Sequence, residues 1–415
     1  MIKETFRRLE RCRICGAGDL WMFLSLGETP LANSLIPPER AAEPEARFPL
    51  EVARCPDCGL VQLTVVVDPE VMFRHYLYAS SASTPLLPHF DAYADEVVRR
   101  FAPPGSLVVE VGSNDGVLLR PLAARGARVL GIEPSTNIAA VANAADLETW
   151  NDFFTTEVAR RVVAEKGPAS AVLANNVLAH IDDLHDVVAS LDILLADTGV
   201  FVTEFPYLLD LMEHVEYDTI YHEHLSYLAL APLARLFAEV GLELFDVHHL
   251  DVHGGSLRLF VGRAGRHEIT PELIATLRAE RDAGVLDPKS YGEFAAKVRE
   301  SRDALRALLR DLRREGKSVA ALGATAKGNT LLNYCGIGPD DVAWVADSTP
   351  LKQGLLTPGM HIPVRPEAAI REERPDYTLL LAWNYADAIV KRFADYLDAG
   401  GRFIHPIPRA RVITA

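Results

Sequence analysis

Long apolar runs, surplus positive charge and cysteine are all scarce in this chain of 415 residues. No apolar stretch approaches the roughly 20 residues needed to cross a bilayer, so no membrane-spanning role is expected. Asp and Glu outnumber Lys and Arg by 57 to 42, a net charge of −15. That balance argues against non-specific nucleic-acid binding, which needs a basic face to displace counterions. It still allows a few local cations to grip a small anionic ligand. The opening Met1-Ile-Lys-Glu-Thr-Phe-Arg-Arg8 has no apolar leader core, and a cytoplasmic location is expected. In that reducing compartment five cysteines do not form a disulfide framework, and their spacing needs another reason. Fixed-period repeats and low-complexity tails are also missing. With 49% hydrophobic and 24% charged residues, the composition is that of a folded globular protein. The length exceeds a single core and implies two or three domains.

Three blocks divide the chain, at 1–75, 76–285 and 286–415. The first holds four of the cysteines and is rich in turns. The second alternates short apolar runs with helical patterns: 106–111, 128–133, 169–173 and 200–204 read as strands, 233–240 as a helix, and 242–247 and 256–261 as further strands. This is the signature of a parallel sheet covered by helices on both faces. The third opens with an amphipathic helix over 291–314, its stripe formed by Phe294, Val298, Leu305, Leu308, Leu309 and Leu312. Strands follow at 318–323, 342–346, 377–382 and 402–404. The expected fold class is α/β: a small N-terminal metal domain, a Rossmann-like core and a second Rossmann-like C-terminal unit.

Cys12-Arg-Ile-Cys15 and Cys55-Pro-Asp-Cys58 are paired C-x-x-C knuckles, each followed directly by glycine, Gly16 and Gly59. Two knuckles supply four thiolates, which close a tetrahedral Zn²⁺ site and leave no open position for chemistry. The expectation is structural zinc, held by Cys12, Cys15, Cys55 and Cys58, with unligated thiols as the alternative. A redox motif would be a single C-x-x-C opening a helix beside a strand. Cys335 stands alone and reads as a packed core thiol.

Gly112-Ser-Asn-Asp-Gly116 follows a strand and opens a helix, the position where a ligand approaches the carboxyl end of a parallel sheet. The G-x-G-x-x-G of a dinucleotide site is absent, and Asn114 and Asp115 would crowd or repel a pyrophosphate. S-adenosylmethionine, which has no phosphate and carries a cationic ammonium and sulfonium, suits an acidic loop. Glu133 ends the next strand, where an acid binds both ribose hydroxyls. The structural alternative is a capping turn and an exposed acid. Asn175-Asn176-Val-Leu-Ala-His180 sits on the same edge; its amides either bind cofactor or substrate, or stabilise a turn.

Tyr221-His-Glu-His224 is dense in ionisable groups. Its histidines are two apart, unlike the i, i+4 pair of a metal-binding H-E-x-x-H helix. An imidazole in a cleft is suited to remove a proton near neutral pH, with Glu223 or Tyr221 orienting it or stabilising charge; the alternative is a solvated loop. His253-Gly-Gly-Ser-Leu-Arg258 is a second polar cluster, whose glycines permit close approach of backbone to a ligand.

These motifs, in this order, resemble the sugar C-methyltransferases that act on nucleotide-linked deoxysugars, above all the 3-C-methyltransferases of tetronitrose and related antibiotic-sugar pathways. The likeness runs along nearly the whole chain. Besides the motifs above it takes in Leu31-Ala-Asn33, Phe48-Pro-Leu50, Gly59-Leu-Val-Gln-Leu63, Tyr76-Leu-Tyr78-Ala-Ser-Ser81 and Tyr217-Asp-Thr-Ile220. Toward the C-terminus it includes Gly323-Ala-Thr-Ala-Lys-Gly328, Leu332-Asn-Tyr-Cys-Gly336, Lys352-Gln-Gly354 and Ala382-Trp-Asn384. The resemblance implies a class I methyltransferase core and zinc on the four cysteines. It implies cofactor contacts from Tyr78, Ser81, Gly112, Asn114, Glu133 and Asn176, and His224 as base beside Tyr221, Glu223 and His180. Lys327, Asn329, Asn333 and Lys352 would grip the nucleotide diphosphate. One departure stands out: the family's acid after Trp-Asn is replaced by Ala388, with Asp387 adjacent.

The reaction implied starts from a 4-keto sugar linked to a nucleotide, thymidine diphosphate by family analogy. His224 removes a proton next to the ketone, and the resulting enolate takes the methyl group. An O- or N-methyltransferase on a similar sugar, a non-catalytic zinc-bearing binding module and an RNA methyltransferase are the rival readings; the acidic charge disfavours the last. C3 is the expected carbon, with C5 the alternative. The sequence leaves the sugar and the oligomeric state open, with a monomer expected.

Overall fold

The computed structural model describes residues 6–73, 86–252 and 254–414. Tyr78, Ser81 and His253 lie outside the described residues.

The N-terminal block forms β1 (Phe6–Arg8), β2 (Trp21–Thr29), β3 (Phe48–Arg54), β4 (Val61–Leu63) and β5 (Val65–Val67). The middle block contributes β6 (Leu107–Val111), β7 (Arg128–Ile132), β8 (Thr149–Trp150), β9 (Ala169–Asn175), β10 (Leu195–Pro206), β11 (Ser226–Tyr227), β12 (Leu242–Leu250) and β13 (Ser256–Arg263). Seven of these build one sheet in the order β12-β13-β10-β9-β6-β7-β8. Its members β6 to β10 run parallel, and β13 and β12 close it as an antiparallel hairpin. At its centre β6 is buried along its whole length and β9 along most of it, as expected for a sheet covered on both faces. The chain leaves β6 toward β7 on one side and returns to β9 on the other. This reversal opens a crevice beyond the carboxyl ends of β6 and β9, where open α/β sheets bind ligands.

The C-terminal block repeats the plan with β14 (Val319–Leu322), β15 (Val345–Asp347), β16 (Val364–Pro366), β17 (Tyr377–Leu380), β18 (Arg402–His405) and β19 (Arg411–Ile413). Their order is β16-β15-β14-β17-β18-β19, parallel except for β19. The long helix runs from Pro288 to Arg314, one turn earlier than the apolar stripe alone indicates. Asp287 caps it by accepting the Lys289 N–H, and proline occupies its first turn, where no amide hydrogen is needed. Phe294, Val298, Leu305, Leu309 and Leu312 are buried as the periodicity predicts, while Leu308 sits at the edge of the packed face.

The blocks do not fold as beads on a string. β11 lies in the middle block just after the Tyr221–His224 segment, yet it pairs with β4 and completes the N-terminal sheet in the order β11-β4-β3-β2. The Leu63 N–H also donates to the Leu225 carbonyl. One apolar core joins Leu24, Leu50, Val52 and Val61 of the N-terminal sheet to Tyr291, Phe294 and the C-terminal strands. The His-rich segment is therefore held by three layers at once. Among the described residues no helix is long and apolar enough to cross a membrane.

Candidate active site and metal centre

The two knuckles meet. The ligand atoms of Cys12, Cys15, Cys55 and Cys58 lie within 4.8 Å of one another, with 3.5 Å between the sulfurs of Cys12 and Cys58 and 3.3 Å between those of Cys15 and Cys55. Gly16 and Gly59 adopt positive φ of 72° and 82°, and their N–H groups return to the carbonyls of Cys12 and Cys55. These turns aim both sulfurs of each knuckle at one point. The hydrogen bond from Cys58 holds the Cys12 thiol down, to about 4, against the opposing effect of burial, and the same bond pushes Cys58 up. Four crowded sulfurs with a proton shared between two of them fit a divalent cation that replaces the protons with thiolate bonds. Cys335 is fully buried in the C-terminal core, as a packed thiol.

At the crevice, Gly112 turns with φ 62° and Asn114 is held at φ 50°. A Cβ on Gly112 would strike Val177, so only glycine lets the two crossing loops close together. Glu133 is buried after β7, and its two oxygens accept the N–H groups of Asn114 at 2.9 Å and Ser135 at 2.8 Å. The acid expected to meet a ribose thus also fixes the shape of the cofactor loop. Asn176, at φ 55°, donates its N–H to the Glu204 carbonyl. Glu110 ends inside the crevice wall, where burial pushes its carboxyl well above the ordinary range. Its Oε2, the Asn175 side-chain amide oxygen Oδ1 and the Ser113 hydroxyl are buried without a hydrogen-bond partner. Orphan acceptors in a crevice lined with acids fit a ligand that brings ammonium and hydroxyl donors, as S-adenosylmethionine does; a pyrophosphate would meet repulsion.

Behind this edge lies a charged network absent from the sequence reading. Arg258 donates to Glu204 at 2.8 Å, reaches Glu96 at 2.5 Å and lies 3.7 Å over the Tyr93 ring. His89 contacts the other Glu204 oxygen at 2.8 Å. Burial opposes ionisation of Glu204, but His89 and Arg258 together hold its pKa below the usual value. The network ties the helix Leu87–Arg100 to the carboxyl end of β10.

The Tyr221–His224 segment is a tight turn closed by the His224 N–H on the Tyr221 carbonyl. His224 is buried, and its Nδ1 lies 2.8 Å from the Thr219 carbonyl. A carbonyl only accepts, so Nδ1 carries the proton and Nε2 holds the lone pair. Nε2 receives the Tyr221 hydroxyl at 2.9 Å. The His180 ring packs beside it with centroids 4.9 Å apart, and burial pulls the His180 pKa down to about 4, so that ring stays neutral near neutral pH. His222 points away: it is buried against Phe48, and burial lowers its pKa to about 4 against the opposing pull of the Pro49 and Phe48 backbone. Glu223 is buried and receives the Asn33 amide at 2.6 Å. The N-terminal domain therefore contributes to the site, and only the match at Leu31-Ala-Asn33 hinted at it.

The structure brings His180, Tyr221 and His224 together and spreads the C-terminal candidates. Lys327 lies 3.2 Å from Glu216 and 5.3 Å from the centre of the Trp383 ring. Lys352 donates to the Ala324 carbonyl at 2.8 Å. Both stand near the carboxyl edge of the C-terminal sheet, where its strand order reverses. Asn329 is buried, with its amide on the Ala32 carbonyl at 2.7 Å, and Asn333 donates to the carbonyls of Asn329 and Pro358. Their amide donors are committed to backbone. At the glycines after His253, a Cβ on Gly254 would strike the Glu216 carboxylate and one on Gly255 that of Asp210. Close approach there is to the protein's own acids.

The fold and site define a methyltransferase. Residues 12–73 match a family model described as a zinc binding domain, 88–247 a methyltransferase domain, and 251–408 a C-methyltransferase C-terminal domain. C-methyltransferase NovU of Streptomyces niveus is 41% identical over 416 residues, covering 100% of this chain and 99% of that protein. The chain belongs to this C-methyltransferase family; S-adenosylmethionine is its cofactor, and the clustered cysteines are its zinc site. Ubiquinone biosynthesis O-methyltransferase of Burkholderia pseudomallei (strain 1710b) is 26% identical over 163 residues, covering 36% of this chain and 70% of that protein. Among solved structures, magnesium protoporphyrin IX methyltransferase of Synechocystis PCC 6803 with bound S-adenosylmethionine has a TM-score of 0.32 at 18% identity, covering 43% of this chain and 79% of that one. The glycopeptide N-methyltransferase MtfA has a TM-score of 0.35 at 13% identity, covering 46% and 96%.

The Tyr221–His224 bond makes a test available. Tyr221→Phe removes the hydroxyl and keeps the ring. Turnover is expected to fall roughly 100-fold, as on loss of one donor to a developing oxyanion, with cofactor affinity unchanged by calorimetry.

Proposed function

We propose that the chain transfers a methyl group to C3 of a nucleotide-linked 4-keto deoxysugar, with thymidine diphosphate as the carrier, in deoxysugar biosynthesis of the antibiotic type. The observation that carries this reading is the anchored imidazole: Nδ1–H on the Thr219 carbonyl and Nε2 capped by the Tyr221 hydroxyl. Transfer to a hydroxyl or amine needs little more than removal of a mildly acidic proton. Transfer to carbon needs a fixed base beside a donor that stabilises an enolate, and this pair supplies both.

In this reading the keto oxygen takes the Tyr221 hydrogen bond and so uncovers Nε2. The proton on the adjacent carbon passes to Nε2, and the imidazolium keeps its Nδ1–H on Thr219. The C–H electron pair moves into the enolate, which Tyr221 and neutral His180 stabilise. Bound S-adenosylmethionine supplies an electrophilic methyl group on a sulfonium. Gly112, Asn114, Glu133 and Asn176 orient it, with Tyr78 and Ser81 as further contacts, so that the carbon is held in line for attack. Glu223, fixed by Asn33, is the remaining acid of the site. Lys327 and Lys352 are the cations for the diphosphate, with Asn329 and Asn333 shaping that wall. Domain limits at 1–75, 76–285 and 286–415, action as a monomer and a cytoplasmic location complete the proposal.

The test is product analysis by mass spectrometry and proton NMR, from a panel of nucleotide-linked keto sugars with S-adenosylmethionine. A new C-methyl singlet on a quaternary C3 is the expected result. An O- or N-methyl signal would overturn the reading.

A further inference from the structure

We infer that Trp383 and Asp218 are positioning residues, a joint through which the C-terminal domain sets which nitrogen of His224 carries the proton. The inference rests on the reading of His224 as the base. Asp218 is fully buried, and its carboxylate accepts the Trp383 indole N–H at 2.6 Å. The residues on its N-terminal side are held from the same direction. Glu216 meets Lys327 at 3.2 Å, and the buried Tyr217 packs its ring edge-on to Tyr334, 5.3 Å between centroids, with its hydroxyl 3.5 Å from the Cys335 sulfur. Lys327, Tyr334 and Cys335 all belong to one C-terminal helix, Ala326–Cys335. Two side chains of the short helical turn Tyr217–Thr219, those of Tyr217 and Asp218, are thus gripped by another domain.

The next carbonyl along, that of Thr219, is the one that receives the Nδ1–H of His224. A histidine's tautomer is set by the hydrogen bond that its other nitrogen makes. If the turn shifts, the carbonyl no longer fixes the proton on Nδ1, and part of the imidazole population carries it on Nε2, where it cannot accept one from substrate. Trp383 and Asp218 thus act on the imidazole through one backbone carbonyl, that of Thr219. A Phe in place of Trp383 keeps an aromatic ring in the core and removes the pyrrole half of the indole together with its N–H.

The experiment uses the full-length zinc-loaded protein with ¹⁵N-labelled histidine. The His224 signals are assigned by their loss in His224→Asn, and the tautomer is read from the ring nitrogen shifts. Wild type is expected to show a single Nδ1–H form. Trp383→Phe is expected to show both tautomers and a fall in kcat of about ten-fold or more, the scale of a small misplacement of a reacting group, with KM for the sugar nucleotide nearly constant. Asp218→Ala and Asp218→Asn read the same hydrogen bond from the other side, should Trp383→Phe fail to fold. The Ala variant is expected to mix tautomers, and the Asn variant, whose amide oxygen still accepts the indole N–H, to restore the single form. An unchanged tautomer in Trp383→Phe, or in Asp218→Ala, would overturn the inference whatever the activity. Full turnover in His224→Asn would instead remove the base assignment, and the tautomer result would stand apart from it.

Discussion

His224→Asn is expected to lower turnover by at least about 100-fold while leaving zinc content, cofactor affinity and thermal stability close to wild type. The asparagine amide keeps a donor for the Thr219 carbonyl, so the turn retains a hydrogen bond in place of the one at 2.8 Å. What disappears is the Nε2 lone pair that the Tyr221 hydroxyl meets at 2.9 Å. Of the other described histidines of the segment and its neighbour, His180 is neutral, with its pKa pulled by burial to about 4, and His222 faces Phe48 in the core. An intact but slow enzyme, with KM little changed, is the signature of losing a proton acceptor used in the transition state. Steady-state kinetics beside calorimetric cofactor titration checks it.

Removing the metal is expected to abolish activity altogether. The free energy of a structural zinc site, roughly 10–16 kcal/mol in small zinc modules, matches or exceeds the whole stability of a typical domain, about 5–15 kcal/mol. Without zinc, the Cys55–Cys58 turn that joins β3 to β4 is expected to loosen, and β4 is the strand on which β11 leans. The pairing of Ser226 with Gln62 and the Asn33 contact to Glu223 then have no frame, and both flank the Tyr221–His224 turn. The four sulfurs are far from the crevice chemistry in role, yet two strands away from the base in structure. Chelation, or Cys12→Ser combined with Cys58→Ser, should eliminate turnover and lower the unfolding temperature. Adding Zn²⁺ back should rescue the chelated protein and not the double variant. Turnover that survived complete zinc removal would show that the N-terminal sheet does not support the site.

The sequence made the local chemistry legible and hid the assembly. Paired knuckles with trailing glycines, a glycine turn after an apolar strand and a helical stripe over 291–314 are short-range patterns, and each is present where it was expected. The reading of the His-rich segment as a base also rested on local composition. By contrast, the partners that hold that segment come from 190 residues away at Asn33 and 165 residues away at Trp383. No periodicity relates such residues. β11 is only two residues long, below the length at which alternation carries a signal, and it is a strand only because β4 is beside it. The Arg258 network is hidden for the same reason. Its charged residues look like exposed surface in sequence and are buried because they neutralise one another.

Removal of a substrate C–H proton by His224 is readable without methyl transfer, as proton exchange at the substrate carbon. The 4-keto sugar nucleotide is incubated in deuterated water with S-adenosylhomocysteine in place of the methyl donor, and loss of the C3 proton signal is followed by NMR. With His224 as the base, wild type is expected to show enzyme-dependent exchange and His224→Asn none above the enzyme-free rate. Equal exchange by the two proteins, or no exchange by wild type on a sugar that it methylates at C3, would contradict it.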